Sequence, residues 1–191
     1  DAAAKKCVLA CTSDTQCVTG YGCVSGICKK KQGQACTSGT ECATGVCADG
    51  VCCNMDCSGS CRACNKTNYV GTCTYHAATS DPEAECADQG AATCGTNGSC
   101  DGVGACQKYT NGTTCVAQSC AGSTQSNTRS CDGSGTCSTA TTTGCAPYVC
   151  GASACKVSCV ADADCVSGYA CASGVCKKAQ GQTCSAASQC A

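Results

Sequence analysis

Thirty-one of the 191 residues are cysteine, and no other residue type in this sequence is numerous and reactive enough to define its chemistry. A cysteine can be a metal ligand, a nucleophile or half of a disulfide, and spacing separates these uses. Metal clusters favour C-x-x-C and C-x-C; the first occurs only at Cys61-Arg62-Ala63-Cys64, the second is absent, and His76 is the sole histidine. Covalent haem attachment needs C-x-x-C-H, but Asn65 follows Cys64. Catalysis has no footing either. His76 is the only histidine able to act as a general base, and paired carboxylates or a nucleophile elbow are missing. His76 is expected to be a solvated loop residue. The chain is therefore expected not to be an enzyme and to use no cofactor. Asp101 and Asp132, each in C-D-G-x-G, could offer oxygen to calcium, but neither has an EF-hand loop around it, and a tight turn is the simpler expectation.

That leaves disulfides. Leu9 and Ile27 are the only Leu and Ile, Phe and Trp are missing, and 13 Val complete the large aliphatics. A chain so poor in apolar volume stays disordered unless its unfolded-state entropy is reduced by other means. Cross-links do this at roughly 2–4 kcal/mol each, and such a density of them implies an oxidising, extracellular or cell-surface setting. The start at Asp1, without Met and with "DAAAKK" in place of an apolar signal core, is expected to be a mature N-terminus after export. No run approaches the length of a membrane span. Twelve Lys plus Arg balance thirteen Asp plus Glu, with no basic stripe, so neither nucleic acid nor a membrane span is expected.

Shifted by 148 positions, Cys7 to Ala43 matches Cys155 to Ala191 at 19 of 37 positions, including all seven cysteines. Such a tandem copy has to be recognised before any fold is assigned. Inside it, residues 11–52 hold two C-x5-C … C-x4-C units, and interlaced pairing is expected: Cys11 with Cys23, Cys17 with Cys28, Cys36 with Cys47, Cys42 with Cys52. Adjacent pairing would leave neighbouring loops untied. A second motif, "SCDGVGAC" (99–106) and "SCDGSGTC" (130–137), follows a dense "CCNMDCSGSCRAC" at 52–64. The expected divisions are an N-terminal extension (1–6), two cysteine-rich units (7–53), a dense cysteine knot (54–93), a C-D-G-x-G region (94–154) and a partial second copy (155–191). In that last copy Cys184 and Cys190 lack counterparts of Cys47 and Cys52, which makes them candidates for intersubunit bonds.

With at most 12 residues between successive cysteines, long helices have no room. Asp49-Gly50, Asn97-Gly98, Asp101-Gly102, Asn111-Gly112 and Asp132-Gly133 signal tight turns. The fold class is thus small and disulfide-rich: short β-hairpins and irregular loops in series, very little helix, forming an elongated repeat rod. Lys29 to Lys31 and Lys177-Lys178 are expected in solvated linkers. Ser and Thr number 42, so covalent carbohydrate is expected on the sequon residues Asn65, Asn97 or Asn111, or on Thr141, Thr142 and Thr143.

The stretch "CTSDTQCVTGYGCVSGICKKKQGQACTSGTECATGVCADGVCC" resembles the Dickkopf-type N-terminal cysteine-rich pattern. It is also similar to tandem cysteine-rich surface proteins secreted by bacteria, in which "ADGVCCN-x-x-C-x-G-x-C-x-x-C" recurs. The resemblance covers residues 7–75, rests mainly on cysteine spacing, and is loose beyond. The animal members imply receptor antagonism; the bacterial ones imply an exported structural or adhesive repeat. Together these readings predict a non-enzymatic extracellular protein that builds a filament from copies of itself, with an adhesin stalk or receptor-binding module as the first alternative and a thiol metal store as the second.

Overall fold

The computed structural model of the protein describes residues 10–190. The 1–6 extension, Cys7 and Ala191 lie outside the described residues. All 30 described cysteines are joined in 15 disulfides. Fourteen of these fall into seven four-cysteine modules with one connectivity, first to third and second to fourth. The first two modules hold the four bonds read from spacing: Cys11–Cys23, Cys17–Cys28, Cys36–Cys47 and Cys42–Cys52.

The reason for the interlacing is local. In the first module β1 (Tyr21–Val24) runs antiparallel to β2 (Ile27–Lys30), and the register sets Cys23 opposite Cys28. The two-residue turn Ser25-Gly26 has φ of 50° and 82°, the positive pair that matches hairpin twist. A C-x4-C spacing with that turn at its centre necessarily places its cysteines side by side, each free to reach an earlier segment. That segment is a 3-10 turn, Asp14–Gln16, between Cys11 and Cys17, whose start is fixed by the Cys11 N–H donating to the Gly26 carbonyl at 2.8 Å. The second module repeats the plan with β3 (Cys47–Ala48), β4 (Val51–Cys52) and the Asp49-Gly50 turn. There Cys36 N–H meets the Gly50 carbonyl, again at 2.8 Å.

Two compact units follow from the contacts, one ending at Asp88 but taking in Thr96–Gln107, the other made of Gln89–Gly95 and the chain from Lys108 onward. Besides the first two modules, the first unit holds Cys53–Cys64 with Cys57–Cys73 and Cys61–Cys100 with Cys86–Cys106. Its remaining strands are β5 (Arg62–Ala63) paired with β6 (Thr74–Tyr75), and β7 (Thr96–Cys100) paired with β8 (Cys106–Lys108). The second unit holds Cys94–Cys131 with Cys115–Cys137, Cys120–Cys150 with Cys145–Cys155, and Cys159–Cys171 with Cys165–Cys176. In it β9 (Thr114–Val116) pairs with β12 (Arg129–Ser130), while β10 (Ser119–Ala121), β11 (Thr124–Ser126) and β13 (Thr142–Gly144) form a three-stranded antiparallel sheet. The hairpin of β14 (Tyr169–Ala172) and β15 (Val175–Lys178) reproduces the β1–β2 register, with Cys171 opposite Cys176. No sheet closes on itself, and five 3-10 turns of three residues are the only helix among the described residues. No helix there is long and apolar enough to cross a membrane.

Cysteine is also the core. Among the described residues every buried apolar one except Ala63 is half of a disulfide, while Val103, Val157 and Val160 are 71%, 87% and 94% exposed.

Several expectations are corrected. The divisions at 53/54, 93/94 and 154/155 are each crossed by a bond: Cys53–Cys64, Cys61–Cys100 with Cys86–Cys106, and Cys145–Cys155. Motif similarity marks where composition changes, whereas modules three to six interleave along the chain, modules four, five and six each starting before the predecessor ends. Cys184 and Cys190, expected to bond between subunits, bond to each other within the chain, across the 3-10 turn Ala187–Gln189. Their two sulfurs are brought together by that turn. Asn97-Gly98 lies inside β7 and is no hairpin tip. The lysine runs are not linkers: Lys29, Lys30, Lys177 and Lys178 are strand residues, and Lys31 pairs with Asp14 at 2.8 Å.

Close packing of backbone against backbone makes one glycine decisive. A Cβ on Gly39 would sit 2.3 Å from the Gly45 carbonyl oxygen, whereas one on Gly144 would meet nothing. Gly39→Ala is expected to cost about 1–3 kcal/mol by forcing the backbone apart, and Gly144→Ala to stay within about 0.5 kcal/mol. Thermal unfolding of the two oxidised variants checks this, and equal midpoints would contradict the packing.

Candidate functional site

Among the described residues the recurring chemical unit is the disulfide module and the polar groups that hold it. In four places the residue just before the second cysteine of a C-x5-C segment turns its side chain back to a backbone N–H four residues earlier. Gln16 accepts from Thr12, Glu41 from Thr37, Asp164 from Val160 and Gln189 from Ser185, at 2.7 to 3.1 Å. At Ser38 and Glu41 this is a full capping box. Each of these side chains closes a turn too short to satisfy its own first N–H groups.

Carboxylates then hold cysteine backbone N–H groups. Asp14 accepts the Cys23 N–H (2.8 Å), Asp162 that of Cys171 (2.7 Å), Asp49 that of Cys64 (2.6 Å), Asp81 that of Cys86 (2.8 Å) and Glu85 that of Cys61 (2.6 Å). Asp101 and Asp132 play the same part within their loops. One oxygen of Asp101 accepts the N–H groups of Val103 and Ala105, and one of Asp132 those of Ser134 and Thr136, at 2.7 to 3.0 Å. The second oxygen of Asp132 accepts the Ser134 hydroxyl at 2.7 Å. These are Asx turns, made possible by Gly102 and Gly104 and by Gly133 and Gly135, all at positive φ. Their carboxylates face donors, which is the turn expected from C-D-G-x-G.

Charge pairs reinforce the caps. Lys30 contacts Glu41, and Lys156 contacts Asp164. The Lys30 ammonium first, then the Thr37 hydroxyl and N–H, hold the Glu41 carboxyl down to about 2. Lys156, followed by the Val160 and Ala161 N–H groups, holds Asp164 at about 2. The Ser134 hydroxyl and the N–H groups of Thr136 and Ser134 press Asp132 well below the usual carboxylate range.

His76 is not solvated as expected. It is 5% exposed, its Nε2 lies 3.8 Å from a Glu83 oxygen, and that nitrogen has no hydrogen-bond partner. The His76 backbone N–H donates to the Cys61 carbonyl at 2.8 Å, which carries the ring inside. Sulfurs of Cys36, Cys42 and Cys52, of Cys61, Cys86 and Cys100, and of Cys94, Cys115 and Cys131 gather within 4.8 Å of one another. All are oxidised, and a disulfide sulfur lacks the thiolate charge that holds zinc or copper. Among the carbohydrate candidates, Asn65, Asn111, Thr141, Thr142 and Thr143 are exposed, whereas Asn97 is half-buried with its side-chain oxygen accepting the Ser99 N–H at 3.1 Å.

Sequence reasoning missed the i−4 acceptors and the cysteine-binding carboxylates. The signal was present as a polar residue immediately before Cys17, Cys42, Cys165 and Cys190. No family model matches this chain, and neither does a curated protein or a solved structure.

The depressed carboxyls set the acid response. A carboxyl whose folded value lies below its unfolded one stabilises fully above the unfolded value and ceases to do so as pH falls through the folded value. For Glu41 that window runs from 4.5 to about 2, and for Asp164 from 3.8 to about 2. The thermal midpoint of the oxidised protein should therefore be flat from about pH 7 to 5 and fall below about pH 4.5. Glu41→Gln should make that fall shallower; a fall of unchanged steepness would show that the pair contributes nothing.

Proposed function

We propose that the protein is an extracellular structural protein whose disulfide modules, set in series, build a reduction-sensitive filament from copies of the chain. One observation carries this reading: the same first-to-third, second-to-fourth interlace occurs seven times between Cys11 and Cys176. Each module closes with its own two bonds, so units can be added along the chain without a growing apolar core, as in quasi-one-dimensional repeats. The setting is oxidising, because 15 disulfides persist only outside the reducing cytosol. The resemblance to secreted bacterial cysteine-rich surface repeats supports the same reading. Carbohydrate on Asn65, Asn111 or the exposed threonines 141 to 143 would solubilise a surface with few charges.

Contacts between copies that do not close into a ring propagate as fibres. Electron micrographs of the purified protein should show filaments that survive about 6 M urea, each bond contributing roughly 2–4 kcal/mol, and that disperse when a phosphine reductant is added. Discrete monomers by light scattering and microscopy, unchanged by reductant, would overturn the proposal.

A further inference from the structure

The two matching segments form the same open cleft twice, each of about 370 Å³. The first is lined by Tyr21, Ile27, Lys29, Lys30, Thr40 and Glu41; the second by the corresponding Tyr169, Val175, Lys177, Lys178, Ser188 and Gln189. Ring, aliphatic side chain, two ammonium groups and a hydroxyl are kept. What differs is the acid. In the first cleft Glu41 places a carboxylate on Lys30, so the cleft is neutralised from within. In the second the same position is an amide, Gln189 accepts only from Ser185, and Lys178 is left with the Thr183 carbonyl at 2.6 Å. Among the described residues neither Lys177 nor Lys178 is in an ion pair.

The first cleft therefore shows what its lysine takes, a carboxylate, and the second lacks one. We propose that the Lys177–Lys178 cleft binds a carboxylate-bearing polysaccharide, with the uronate on Lys178, the sugar face on Tyr169 and its hydroxyls on Ser185, Ser188 and Gln189. A second copy of the chain is a poor source of that carboxylate. Every described Asp and Glu except Glu83, which lies 3.8 Å from the His76 ring, has an intramolecular partner, in caps, Asx turns, lysine ion pairs or at cysteine N–H groups. A ligand rich in hydroxyls also matches the rim of Tyr169, Ser185, Ser188 and Gln189, whose hydroxyls and amide can exchange hydrogen bonds with sugar hydroxyls. This inference concerns ligand binding by one chain and does not depend on filament formation.

The pair of clefts supplies its own control. Gln189→Glu should bring the first cleft's internal ion pair into the second, and Glu41→Gln should open the first cleft like the second. Both replacements keep the side-chain oxygen that closes the turn, so the fold is retained. Calorimetric titration with oligogalacturonate at low salt should give one site per wild-type chain, about tenfold weaker binding in Gln189→Glu, as expected for loss of one charge-assisted contact, and two sites in Glu41→Gln. Neutral galactan of the same length should not bind. The inference is overturned by absent binding, by equal affinity in Gln189→Glu, by a single site in Glu41→Gln, by equal binding of galactan, or by tighter binding of polyglutamate.

Discussion

Everything in this protein depends on one constraint, that each hairpin is too small to stand by itself and must be bonded to the segment before it. Two-stranded ribbons are marginal in water, and here the strands run from two to five residues. A bond between the opposed cysteines Cys23 and Cys28 would only reinforce a hairpin that the Ser25-Gly26 turn already forms. Bonding them instead to Cys11 and Cys17 fastens a separate 3-10 turn onto the hairpin. The interlace thus turns two marginal elements into one rigid module, and the buried sulfurs serve as the apolar interior that leucine and phenylalanine supply elsewhere.

A cysteine core creates a second need. Short turns packed on disulfides leave backbone N–H groups without carbonyl partners, and unsatisfied buried donors are costly. The acidic residues meet it. Asp49, Asp81 and Glu85 accept from cysteines 64, 86 and 61 in the first unit, and Asp162 does so for Cys171 in the second. A carboxylate is well suited to this because it accepts several donors at once and shortens charge-assisted bonds. The near balance of charge in the sequence therefore reflects internal hydrogen bonding as much as surface solvation.

What was legible in the sequence was whatever is fixed by short-range spacing. C-x4-C around Ser-Gly or Asp-Gly dictates a hairpin with opposed cysteines, and C-x5-C leaves room for one short turn, so the first two modules could be paired from spacing alone. Modules three to six could not. Their loops span up to 39 residues, as between Cys61 and Cys100, and nothing in spacing says that Cys94 skips past Cys100 and Cys106 to reach Cys131. His76 was misplaced for a related reason: a histidine flanked by Tyr75 and Ala77 in a loop carries no periodic pattern, and its burial follows from where the Cys61 backbone lies. The lysines of β2 and β15 looked like linkers because charge runs usually are; the hairpin register places them in strands.

The two matching segments also separate what the scaffold demands from what it leaves open. Between residues 11–42 and 159–190 the cysteines, both hairpin turns of the first unit type, and the acceptors at 14 and 162 are retained, because each fixes backbone. Gln16 against Asp164 and Glu41 against Gln189 exchange charge freely, since an amide oxygen closes the turn as well as a carboxylate does. Charge at these positions is thus not needed to close the turn. Where Asp164 gains a charge it gains Lys156 as a partner, in place of Val8 in the first segment, so the folded chain neutralises it. Where Gln189 has none, Lys178 keeps its charge facing outward over a cleft. A scaffold indifferent to the charge at that position can vary it to set what the surface binds, without any change to the bonds beneath.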